Sequence, residues 1–140
     1  MHLPTKADIN VYDSPDEQSA SDHFFGKTLV QAEILFRESS EYYQEDLMWM
    51  GPVAFSFYLK AAINYLRSDD SAGDYHLIDC LYEIAVFRFD QEGFALAING
   101  VKEMVDYVIA DYQKFQVNTE IYGDLLQKYK SLKNRLTPIG

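Results

Sequence analysis

His76 and Cys80 stand four residues apart with Asp79 and Glu83 nearby, a spacing that on a helix could bring an imidazole and a thiolate to one metal ion. The third and fourth ligands of a closed site are missing. The expected roles are therefore plainer, Cys80 as a small core residue and His76 as a surface residue in a first helical turn. A cysteine nucleophile also needs an adjacent base and a lowered pKa, and Cys80 falls in mid-helix beside an apolar stripe. None of His2, His23 or His76 follows a glutamate at the Glu-x-x-His spacing of di-iron bundles. The acidic groups Glu41, Glu45 and Asp46, and Asp69, Asp70 and Asp74, could supply paired carboxylates for acid–base work with a divalent metal. Short acidic runs are more often solvated faces or turns, and the second group lacks the twelfth-position glutamate of a calcium loop. Arg88 is in phase with Leu77, Leu81 and Ile84. That predicts either a partly buried guanidinium paired with an acid or a side chain snorkelling at the rim. No catalytic residue, metal or cofactor is expected from these patterns.

The elements that must position these side chains follow from composition and period. The 140 residues, 48 % of them apolar, are enough for one domain, which at this length buries about 68 % of its unfolded surface. Cys80 is the only cysteine, so no internal disulfide forms and a reducing compartment is favoured. No apolar run nears the ~18 residues of a membrane span, and residues 1–10 lack an apolar signal core; a cytoplasmic location is expected. The formal net charge of -10 disfavours nucleic acid and anionic membranes. Residues 1–92 carry 17 acids and 6 bases, net -11, whereas residues 93–140 carry 5 acids and 6 bases, net +1. A charged partner of the first part should be basic.

Residues 1–22 mix Pro4, Pro15, three serines and five acids with few large apolar side chains, which predicts a flexible or loosely packed arm. A first helix is expected from Thr28, whose spacing to Gln31 has the capping-box form, with Leu29, Ala32, Leu35 and Phe36 buried. Ser39 and Ser40 should end it and open a short second helix over 41–49. Gly51-Pro52 opens a third, 52 to about 67, apolar on all but a narrow strip and so the expected centre. After a turn at 69–73, a fourth helix runs from 74 to about 89 and buries Leu77, Leu81, Ile84 and Phe87. Phe94, Ile98, Val101, Val105, Val108, Tyr112 and Phe115 recur every three or four residues, the stripe of a long fifth helix with Asp90 as its cap. Gly100 within it points to the close approach of another backbone. A last helix is expected from Asn118 through Leu136, ended by Thr137-Pro138. The fold class is all-α, a compact bundle of about five to six helices in one domain, 23–140, with the arm 1–22.

The remaining anomaly is aromatic load, 11 Tyr, 9 Phe and one Trp. Tyr42, Tyr43, Trp49, Phe55, Phe57 and Tyr58 cluster beside Glu41, Glu45 and Asp46. Rings at helical spacing ordinarily fill a core, but tyrosine and tryptophan in an acidic rim also suit a surface that a basic protein covers. The candidate interaction surface is accordingly Glu41, Tyr42, Tyr43, Glu45, Asp46 and Trp49. The segment Trp49-Met50-Gly51-Pro52 with Phe55-Ser56-Phe57-Tyr58-Leu59 resembles a pattern in small uncharacterised bacterial all-helical proteins, a resemblance that implies bacterial origin and no activity or site. The leading expectation is a non-catalytic acidic helical protein-binding module, in its sharpest form an immunity-type inhibitor of a basic partner. Two rivals are a small-molecule binder with Tyr58, Tyr65 and Trp49 around an apolar inter-helical pocket, and a metal-dependent hydrolase using the acidic clusters. Self-association through an exposed stripe of the last two helices is a further expectation.

Overall fold

Gly51-Pro52 is the pivot of the architecture. Proline at the first helical position starts α4 (Pro52–Arg67) without losing a needed N–H, and α3 (Leu29–Trp49) ends just before it, so the two helices fold back along one another. The computed structural model describes residues 2–137, and every regular element among them is helical. α4 is the central helix: Phe55, Tyr58, Leu59, Ala62 and Leu66 are all 2 % exposed or less. Each such large apolar side chain contributes about 2 kcal/mol of burial. α5 (Tyr75–Phe89) covers α3, and α6 (Ile98–Ala110) covers α4; α8 (Leu125–Leu136) closes the bundle against α5 and α6.

Several local signals act as expected. Thr28 and Gln31 form a reciprocal capping box at the start of α3, and Asp74 caps α5 through the Leu77 N–H. Ser39 leaves helical geometry at φ of -161° and ψ of 78°, so α3 is two helices joined across a kink at the serines expected to divide them. The long stripe from Phe94 to Phe115 is also divided differently. Only its middle is α-helix; 3-10 turns at Phe94–Leu96 and Tyr112–Phe115 flank α6, and Gly93 enters with φ of 85°. Asp90 therefore caps nothing downstream and instead follows the end of α5. Asn118 caps only the four-residue α7 (Thr119–Tyr122); Gly123 breaks the chain at φ of 65° and Asp124 caps α8. Pro138, the expected terminator, lies outside the described residues. Gly100 faces the Leu59 side chain rather than a backbone, since a Cβ there would meet Leu59 Cδ2 at 3.3 Å.

The N-terminal segment is the main correction. Residues 5–24 form α1 (Lys6–Ile9) and α2 (Pro15–Phe24), each opened by a capping box, Thr5 with Asp8 and Ser14 with Glu17. Ile9, Ala20 and Phe24 are fully buried, and α1 packs on α4 while α2 packs on α3. Two reciprocal caps satisfy the orphan N–H groups that would otherwise favour an open chain. The described residues thus form eight α-helices and no flexible arm. Gly51 fixes where α1 lies: its N–H donates to the Ile9 carbonyl at 3.0 Å, and a Cβ there would collide with the Asp8 carbonyl and the Val11 side chain.

Candidate functional site

α1, the α3–α4 junction and the end of α5 enclose a groove of about 490 Å³. Its aromatic lining is Tyr12, Trp49 and Phe87, the last two rings 5.8 Å apart in an edge-to-face arrangement. Phe87 was expected in the buried stripe of its helix, yet it is 39 % exposed. Asp8, Glu17 and Glu92 line the same groove. Burial works to raise the pKa of Glu17, but hydrogen bonds from the Ser14 side chain and the N–H groups of Tyr12 and Ser14 outweigh it. The net pKa lies below the ordinary carboxylate value. Glu17 is thus an ionised wall of the groove as well as the partner of Ser14 in the capping box of α2.

Arg88 forms part of the groove's floor and is the cation whose role sequence left open. It is 6 % exposed, and among the described residues it forms no ion pair. Instead its Nη2 donates to the carbonyls of Leu47 at 2.9 Å, Met48 at 3.0 Å and Met50, the orphan acceptors at the end of α3. Its Nε has no hydrogen-bond partner; the guanidinium lies 4.4 Å from the centre of the Phe55 ring. Burial pushes its pKa down to about 10, which still leaves it charged at neutral pH. The expected acid partner is thus replaced by backbone carbonyls, which the sequence pattern does not display.

The six residues of the candidate surface divide. Tyr42 is 58 % and Trp49 37 % exposed, Glu41 and Glu45 are exposed, and Tyr43 is half-buried against Phe24. Asp46 is buried and belongs to the interior: its Oδ2 lies 2.7 Å from His23 Nδ1. Burial raises the Asp46 pKa, with the His23 contact opposing it. The Tyr42 hydroxyl lies 3.2 Å from His23 Nε2, so α2 and α3 are joined through one imidazole. A hollow of about 90 Å³ opens beside these groups and shares Trp49 with the larger groove. Sequence reasoning missed His23, which lay in the segment beside the supposed arm, and Tyr12, which lay within it; a capping-box search of residues 5–17 would have flagged both short helices.

Other candidates are engaged elsewhere. Tyr58 is buried with its hydroxyl donating to the Phe24 and Lys27 carbonyls, and Tyr65 donates to Asp74 at 2.8 Å; neither lines the groove that Trp49 borders. Asp74 also accepts from Ser40, and Asp70 pairs with Arg37 at 2.7 Å, so that acidic run holds α3 to the start of α5. Cys80 Sγ lies 3.4 Å from His76 Nε2, but burial, helped by nearby Asp79 and Glu41, pushes the thiol up to about 11. No group of three or more metal-ligating side chains occurs among the described residues. No described helix is long and apolar enough to cross a membrane. No protein-family model, curated protein or solved structure matches this chain.

Proposed function

We propose that this chain is a non-catalytic acidic helical module that binds a basic protein, in its sharpest form an inhibitor that covers the partner's cationic surface. One observation carries the reading: Tyr42 and Trp49 stay exposed on α3 beside Glu41 and Glu45, with the aromatic-lined, carboxylate-bearing groove adjoining them. Rings that could have entered the core and do not are the usual anchors of an interface, and an acidic rim steers and selects a cationic partner. The acidic surplus of residues 1–92 adds long-range attraction that salt screens.

The test is capture from the native host at low and high salt, with Y42A/W49A and E41Q/E45Q baits beside the unaltered chain. A basic protein held at low salt, weakened at high salt and lost from both double variants is the expected result. Absence of any partner at low salt, or partners indifferent to both variants, would refute the reading.

A further inference from the structure

We propose that the groove beside Trp49 seats one arginine side chain of the basic partner, an inference that rests on the reading above and narrows it to a single residue type. Five of the twelve exposed large apolar side chains among the described residues, Val11, Tyr12, Trp49, Val53 and Phe87, line this one depression. Its volume of about 490 Å³ leaves room for a long side chain and the backbone that carries it, whereas the hollow beside His23 is about 90 Å³.

Charge selects the guest. Asp8, Glu17 and Glu92 face the groove, against one cation, Arg88. Arg88 is already bonded to the Leu47, Met48 and Met50 carbonyls, so its positive charge is offset by the end of α3. Asp8 and Glu17 accept hydrogen bonds from backbone N–H groups that do not cancel their charge. Glu92 is exposed and has no partner among the described residues. An apolar guest would strip water from these carboxylates without replacing it. A cation on an apolar stem satisfies both kinds of wall. Arginine suits them better than lysine, because a guanidinium is planar and weakly hydrated, stacks on rings and meets a carboxylate with two parallel N–H groups.

The chain's single tryptophan, Trp49, lines both this groove and the hollow beside His23, so its fluorescence reports binding at either and the E92Q variant assigns the response to the groove. The full chain would be titrated at low salt with acetyl-Gly-Arg-Gly-amide, its lysine and norleucine counterparts, and ethylguanidinium. Expected is a saturable change with the arginine peptide, lysine weaker, and no saturation with norleucine. E92Q should raise the half-saturation concentration about threefold, as for a partly screened ion pair, and D106N on α6 should leave it unchanged. No saturable response, lysine or norleucine equal to arginine, or indifference to E92Q would overturn the proposal. Ethylguanidinium binding more tightly than the peptide would also overturn it, assigning the groove to small organic cations. The two readings fail separately. A basic protein captured through Tyr42 and Glu45 while Trp49 ignores the arginine peptide defeats only the groove assignment. Peptide binding without any such protein leaves the groove as an arginine site and defeats the reading of the α3 face.

Discussion

The C-terminal carbonyls of α3 and of α4 are both met by a cation delivered from a distant part of the chain. Arg88 donates to Leu47, Met48 and Met50; Lys114 donates to the carbonyls of Leu66 at 2.6 Å and Ser68 at 2.8 Å, and to the Tyr107 hydroxyl. Each also lies over an aromatic ring, Phe55 for Arg88 and Tyr107 for Lys114. The surroundings differ. Arg88 is buried beneath the groove, while Lys114 is half-buried in a turn at the far end of α4. A helix end beside the core must receive all its donors from the protein, whereas one near solvent can accept them from water. The same device is therefore obligatory at one end of α4 and supplementary at the other.

Replacing Arg88 by methionine keeps apolar length and strands three carbonyls, so R88M should lose about 3 kcal/mol in urea unfolding. A loss below about 1 kcal/mol would show that water reaches the end of α3 and that the contrast with Lys114 is wrong. K114M should cost about 1 kcal/mol, because solvent can replace the ammonium. The two caps are separated by the 16 residues of α4, roughly 24 Å, so the double variant should be additive within about 0.5 kcal/mol. Larger coupling would mean that α4 transmits strain between its ends.

Asp46 sharpens the comparison as a buried charge with a titratable partner. Burial raises its carboxyl above the ordinary 3.8, so the folded chain holds the proton more firmly than the unfolded one. Its contribution to stability is therefore greatest below pH 3.8 and is lost as pH rises through the raised folded value. Urea melts across that acid range should show the unaltered chain losing stability relative to D46N as pH increases. Parallel profiles would mean that the His23 contact cancels the burial penalty.

Helix starts proved legible where a side chain caps its own segment. Thr28 with Gln31, Asp74 and Asn118 accept from N–H groups within three residues and Pro52 opens α4 through its fixed φ, each at an expected helix start, although Asn118 opens only α7 and Asp90 caps nothing. Periodicity was a poorer guide to continuity. The stripe from Phe94 to Phe115 is apolar at helical spacing throughout, yet Phe94 and Phe115 are held in 3-10 turns, Phe94 against Phe89 and Phe115 against Tyr107. Burying the same side chains does not require an unbroken axis. The candidate surface was legible in part: Tyr42 and Trp49 stayed outside, while Asp46, one turn from Tyr42, turned inward to His23.

By itself the sequence determined an all-α chain, its buried central helix at Pro52–Arg67, and an acidic first part with aromatic residues near Trp49. These follow from local hydrogen bonding, residue period and charge, which need no knowledge of distant neighbours. Tertiary structure alone decided that residues 5–24 fold onto α3 and α4, that Gly51 receives the backbone of α1, and that Arg88 serves carbonyls instead of an acid. It also brought Tyr12, Trp49, Phe87 and Glu92 around one groove. Such contacts join residues far apart in the chain, and their free energy depends on which groups share a buried volume, a quantity that no spacing within a helix encodes.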